Sequence, residues 1–308
     1  MGNGELGIIR IVMCAKCLTV LMLFFLSLVG WGGEPLSVFG YATNGVAQRI
    51  AENPRASLSR FTGYPPSKGL LGFPRCLFEK PFALNDKFWL KDLDFSCVSP
   101  WNDAMGRLGA GVAVTKRHIL YSNHFNMGKG TRILFVGQDG EVCPCYLEGS
   151  RKVADTGLMV GLLNAEVTPN IHPAKVLPPD YKKYIRDGEG FPVVTFNQTE
   201  EAVLHESGRE TKEGEGPRRW GAHASTNATW LAFQKTLISG DSGNPAFILI
   251  GNHPVLIYCI YGGGGGVGNS IHAYRRDIQR AMDELCPGYK LEAFDFGKLQ
   301  PTTTCRVP

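Results

Sequence analysis

The 308 residues contain no dense stripe of lysine or arginine, and the net charge is only +4. A nucleic-acid partner is therefore not expected. The apolar run near the N-terminus, Leu18–Val29, has 12 residues, short of the roughly 20 that span a bilayer. Cys143-Pro144-Cys145 lacks a second pair of ligands at zinc spacing, so no metal is expected, and no cofactor either. Charged residues make up 19% of the chain and hydrophobic ones 44%, an ordinary globular balance with enough apolar material for a large core. What the chain has in excess is glycine, 38 residues, which favours a turn-rich all-β architecture over a helical bundle.

Arg10 and Lys16 precede the run "LTVLMLFFLSLV", and "GWGGEP" follows it. A basic start, a short apolar stretch and a small-residue exit are the parts of a secretory signal peptide, here residues 1–33. The expected location is secreted or periplasmic, with no membrane attachment after cleavage. Nine cysteines less Cys14 and Cys17 leave seven in the exported chain, so they cannot all pair within one molecule. Cys143 and Cys145 stand too close to bridge each other comfortably. One or two disulfides among the others are compatible with export.

Residues 34–94 read as an N-terminal extension or pro-segment, with a short helix in "NGVAQRIAENP" ended by Pro54. From Phe95 the pattern changes to short apolar or alternating runs separated by turn residues: "FSCVSPW", "GAGVAVT", "HILYSNHF", "RILFVG", "EVCPCYLEG" and "GLMVGLLNAEV". Strands at such close spacing predict a barrel or sandwich. "VTPNIHPAKVLPPDY" lacks periodicity and reads as a linker closing a first lobe, residues 95–178. A second lobe, residues 179–308, carries "FPVVTFN", "EAVLHES", "GAHASTNATWLAFQ", "NPAFILIG", "PVLIYCIYGG" and "NSIHAY". Its loop Glu206–Gly221 is polar and predicted mobile. Ile278, Ala281, Met282 and Leu285 recur at helical spacing, so Arg275–Leu285 is predicted as an amphipathic helix stopped by Pro287.

Three positions carry chemistry. "ISGDSGNPAF" places Ser242 in a tight glycine-bounded turn. There the amides of Gly240 and Ser242 can converge on one small volume, as an oxyanion requires. Read alone, the turn fits a nucleophile or a plain β-turn equally. A serine nucleophile needs a base and a group that orients it. His124 follows an apolar strand in "HILYSNHF" and stands on a loop, free to face a cleft; His118 starts that strand and reads as structural.

"GAGVAVTKRHILYSNHF" and "GDSGNP", in that order, resemble the histidine and nucleophile segments of chymotrypsin-like serine proteases, most closely bacterial-type members with short loops. The resemblance covers roughly residues 95–285. It implies an all-β fold of two packed six-stranded antiparallel barrels with a C-terminal helix. It also implies a triad of His124, Asp155 and Ser242, an oxyanion hole from the Gly240 and Ser242 amides, and a polypeptide substrate. Asp155 in "VADTGLMVGLL" fills the aspartate slot. Its rival Asp139 sits in an Asp-Gly hairpin turn. Substrate should pair as an added strand along Ile260, Tyr261 and Gly262, with Thr236 at the pocket base. Thr236 carries no charge, which implies a small or apolar side chain in that pocket. The chain departs from the family where Phe125 replaces the cysteine after the histidine, and where Asn244 replaces the second glycine after the serine. No activation cleavage sequence precedes the first lobe. The expected function is thus an exported serine endopeptidase; the alternative is a catalytically inactive protease-like binding module. An α/β-hydrolase is disfavoured because "GDSGN" has no glycine two residues after Ser242 and precedes a strand.

Overall fold

Period-two burial is plainest in the strand at Val142–Lys152, where Cys143, Cys145 and Leu147 point inward while Val142, Pro144 and Tyr146 face out. The computed structural model describes residues 38–62, 82–104, 111–125, 127–185, 189–211, 214, 216–238, 240–262 and 266–298. The signal-peptide segment, Cys76, Cys305 and glycines 263–265 lie outside them.

The first lobe contains β3 (Val98–Ser99), β4 (Trp101–Asn102), β5 (Gly111–Ala113), β6 (His118–Ser122), β7 (Arg132–Val136), β8 (Val142–Lys152) and β9 (Leu158–Leu163). Its order is β3-β5-β6-β9-β8-β7-β4. Only Pro100 separates β3 from β4, so the two ends of the sheet are one bent strand and the sheet closes into a six-stranded barrel. Pro144 lies where β8 pairs with β7 alone, so its missing N–H interrupts no second ladder.

The second lobe is built from β11 (Pro192–Phe196), β12 (Ala202–Ser207), β13 (Arg219–His223), β14 (Pro245–Ile250), β15 (His253–Gly262) and β16 (Val267–Ser270). A β15–β16 pairing closes it, and β10 (Lys175–Val176) adds to β15 in parallel. The molecule is thus mostly β, two antiparallel barrels with a C-terminal helix. That helix, α2 (Arg275–Leu285), buries Ile278, Ala281 and Met282 and packs on β8 and β9 of the other lobe.

Several expectations shift in detail. The linker is not featureless, for it contains β10. "GAHASTNATWLAFQ" keeps strand only to His223, then enters a Ser/Asn/Thr-rich stretch whose side chains bond local amides. "NSIHAY" leaves the sheet after Ser270. The polar loop Glu206–Gly221 buries Glu210, which accepts from Arg218, Ser270 and the Tyr181 hydroxyl. Its described part is held by that buried charge.

The segment before the first barrel is part of the core. Helix α1 (Val38–Glu52) lays Ala42, Val46 and Ile50 against β14 and β11. Downstream, β1 (Phe61–Thr62) and β2 (Ala83–Leu84) form a short ribbon. Between α1 and β1, the Arg60 guanidinium donates to Val98 O at 3.1 Å and Val136 O at 3.0 Å in the first lobe. It also pairs with Glu200 of the second lobe at 3.5 Å. Phe95 joins the lobes as well, its ring 5.0 Å from Phe196 and 5.5 Å from Phe247.

Candidate active site

Antiparallel register decides where two of the three candidate residues go. Ser122, the last residue of β6, pairs with Leu158, the first of β9. The chain leaving β6 therefore runs beside the chain entering β9, which puts the His124 loop next to the Asp155 turn. Two bonds fasten them: Asn123 N donates to Gly157 O at 2.8 Å, and Asn123 Nδ2 to Thr156 O at 3.3 Å. The Asp155 turn is itself closed by Thr156, whose hydroxyl donates to Val153 O at 2.5 Å and accepts from Leu158 N at 3.1 Å.

Ser242 comes from the other barrel, in the turn that enters β14. Gly243 N donates to Ile260 O at 2.7 Å, and Ile260 N to Asn244 O at 2.9 Å. Gly240 (φ +109°) and Gly243 (φ +85°) occupy backbone conformations that favour glycine. A Cβ on Gly243 would lie 2.8 Å from Phe125 Cε2 and 3.4 Å from Ser122 N. The nucleophile turn and the histidine loop are therefore in van der Waals contact, with Phe125 as the wedge. Phe125 stands where the resembling family has a disulfide cysteine, and here its buried ring seats the loop.

Asp241 is buried, and its carboxylate accepts from Gln198 N at 2.8 Å and Ile238 N at 2.6 Å. Burial lifts its pKa above the ordinary value against the pull of those two amides. The turn is thus braced by its own neighbours. Among the described residues, the amides of Gly240 and Ser242 enter no backbone hydrogen bond and the Ser242 hydroxyl has no partner. Ser242 is partly exposed. Asn244 is buried with both side-chain polar atoms unpartnered among the described residues; its backbone, not its side chain, serves the turn.

The hydrogen bonds of a working triad are not formed in this arrangement. His124 is exposed, with Nδ1 2.9 Å and Nε2 3.4 Å from Ser122 Oγ. The exposed Asp155 carboxylate makes no hydrogen bond or ion pair among the described residues. Tyr261 fills the space beside them, its ring packed on Gly157 and 5.5 Å from the His124 ring.

The candidate substrate residues divide. Ile260 is interior, with amide and carbonyl both engaged by the nucleophile turn. Tyr261 sits at a bulge between the Ile260–Gly268 and Gly262–Val267 pairs, outside both registers. Thr236 is exposed and lines a cavity of about 270 Å³ with His205, Ala222, His223, Lys235 and Leu237. Neither Ser122 nor His205 stood out in the sequence. Ser122 reads as a strand-end polar residue, and His205 is one polar residue in an apolar strand.

The site and its scaffold define a two-barrel antiparallel β protein whose architecture is compatible with a chymotrypsin-like fold. No protein-family model matches the chain, and no curated protein matches it significantly.

Proposed function

We propose that the chain is an exported serine endopeptidase of chymotrypsin-like type. The observation that carries this reading is the contact of Phe125 with Gly243, which seats a histidine loop against a Gly-Asp-Ser-Gly turn from the opposite barrel. On this reading Ser242 Oγ attacks a peptide carbonyl and His124 takes its proton, then returns it to the leaving amine. Water releases the acyl group by the same exchange. Asp155 holds the imidazole tautomer and stabilises the imidazolium. Gly240 and Ser242 amides face the oxyanion, each such donor being worth about 3–4 kcal/mol of barrier. To act, His124 leaves Ser122 and turns toward Asp155; catalytic hydrogen bonds commonly tighten only with substrate in place.

A second reading, a protease-like binding module, is favoured by one observation: the His124 ring is held by Ser122 while Asp155 is unbonded. Labelling with a fluorophosphonate separates the two. An active serine is labelled in the wild type and not in Ser242→Ala. Absence of labelling in folded wild-type protein supports the binding module. Export rests on the N-terminal segment, and N-terminal sequencing of secreted protein tests it.

A further inference from the structure

The cavity that Thr236 lines has an unusual wall. His205 is only 7% exposed, and its Nε2 is buried with no hydrogen-bond partner among the described residues. Such a group costs about 1–3 kcal/mol unless something binds it. A second orphaned donor lies beside the same wall. The buried Tyr258 hydroxyl also lacks a partner among the described residues. A Cβ on Gly266 would sit 2.9 Å from Leu237 Cδ1, 3.5 Å from Ala222 O and 3.7 Å from that hydroxyl. The remaining polar groups on the lining are Thr236, His223, Gln234 and Lys235, and none of the described lining residues is a carboxylate.

The geometry points to a pocket for a carboxylate-bearing side chain, glutamate, on the acyl side of the cleaved bond, with His205 as the specificity-determining donor and Thr236 as its companion. This inference rests on the reading of Ser242 as nucleophile, since Thr236 and Leu237 lead into the turn that carries it. It replaces the small or apolar preference that an uncharged Thr236 implies from sequence.

Three arguments support the choice. The cavity is lined by donors and lacks an anionic partner for lysine or arginine. Its volume suits a side chain longer than alanine. An apolar occupant would leave the His205 nitrogen desolvated and unpaired, whereas a carboxylate oxygen satisfies it with a charge-assisted bond. Burial, with His223 nearby, pushes the His205 pKa down to about 4. The empty pocket therefore carries a neutral imidazole, able to donate from Nε2 as the Nε2–H tautomer. Lys235 is paired with Glu201 at 2.5 Å, so it contributes rim charge already balanced.

The test uses Ser242→Ala protein and calorimetric binding of acetyl-Ala-Ala-Xaa peptides, Xaa being Glu, Gln, Leu or Lys, which needs no turnover. The glutamate peptide should bind at least tenfold tighter than the other three. His205→Phe should remove that preference while leaving leucine-peptide binding in place. Because His205 is buried, Thr236→Val provides a variant at an exposed position and should cut the preference several-fold. Equal affinity for glutamate and glutamine or leucine overturns the inference, as does a preference that survives both substitutions. Fluorophosphonate labelling of wild-type protein is run alongside. Labelling without a glutamate preference sinks the pocket and spares the enzyme; a glutamate preference without labelling does the reverse.

Discussion

A methyl group on Gly243 has nowhere to go. The backbone there is left-handed, and Phe125 and the Ser122 amide close the space on the other side. Gly243→Ala is expected to cost about 1–3 kcal/mol of stability and to lower fluorophosphonate labelling at least tenfold, since the turn can yield only by separating Ser242 from the histidine loop. Denaturant titration beside labelling kinetics separates the two effects. Ser122 acts in the opposite sense. Its hydroxyl competes with Asp155 for His124 Nδ1, and one hydrogen bond is worth about 1 kcal/mol net. Ser122→Ala should therefore raise the labelling rate by up to roughly fivefold, a factor set by that same energy. A fall in rate would instead make Ser122 a positioning partner of the histidine. At this scale the sequence revealed Ser242, His124 and Asp155 through their neighbours. It could not show that Ser122 holds the ring, because side-chain direction at a strand end is not encoded in spacing.

The extension and the barrels meet through one guanidinium. Arg60 is buried between backbone carbonyls of the first lobe and Glu200 of the second. Removing one partner of a buried pair strands the other charge, a loss of about 3–5 kcal/mol. Arg60→Leu should show that loss in denaturant titration, and Arg60→Leu with Glu200→Gln should recover much of it. Trp89 adds a bond from its indole to Ala202 O at 2.9 Å, and α1 covers β11 and β14. These contacts predict that N-terminal sequencing of the mature protein finds Val38–Glu52 and Arg60 retained. Both helices were legible as elements, one from Pro54 and one from its i, i+3, i+4, i+7 stripe. Which barrel each covers was not, because an amphipathic face says that it must be buried and not against what.

Across the whole molecule, buried ionisable groups set the response to acid. Burial pushes His118 down to about 4, with Arg117 adding to it, and burial pushes His205 down to about 4. Both stay neutral in the fold while the unfolded chain takes up protons below about 6.5. Their contribution to stability is thus present above pH 6.5 and lost as pH falls toward 4. Glu200 works against them. Burial raises it to about 7 despite Arg60, so it favours the fold at low pH and loses that contribution as pH rises from roughly 4.3 to 7. Unfolding midpoints measured between pH 4 and 7 should rise with pH more gently in His118→Gln than in the wild type. The sequence alone determined the strand series of each lobe, the terminal helix, and the order of His124, Asp155 and Ser242, because period, turn chemistry and flanking glycines act over a few residues. Only the tertiary structure decided that Phe125 meets Gly243, that Arg60 reaches Glu200 and that His205 shares a cavity with Thr236. Those partners are far apart in the chain, and they touch because two sheets close into barrels and pack, an outcome of summed burial that no local spacing records.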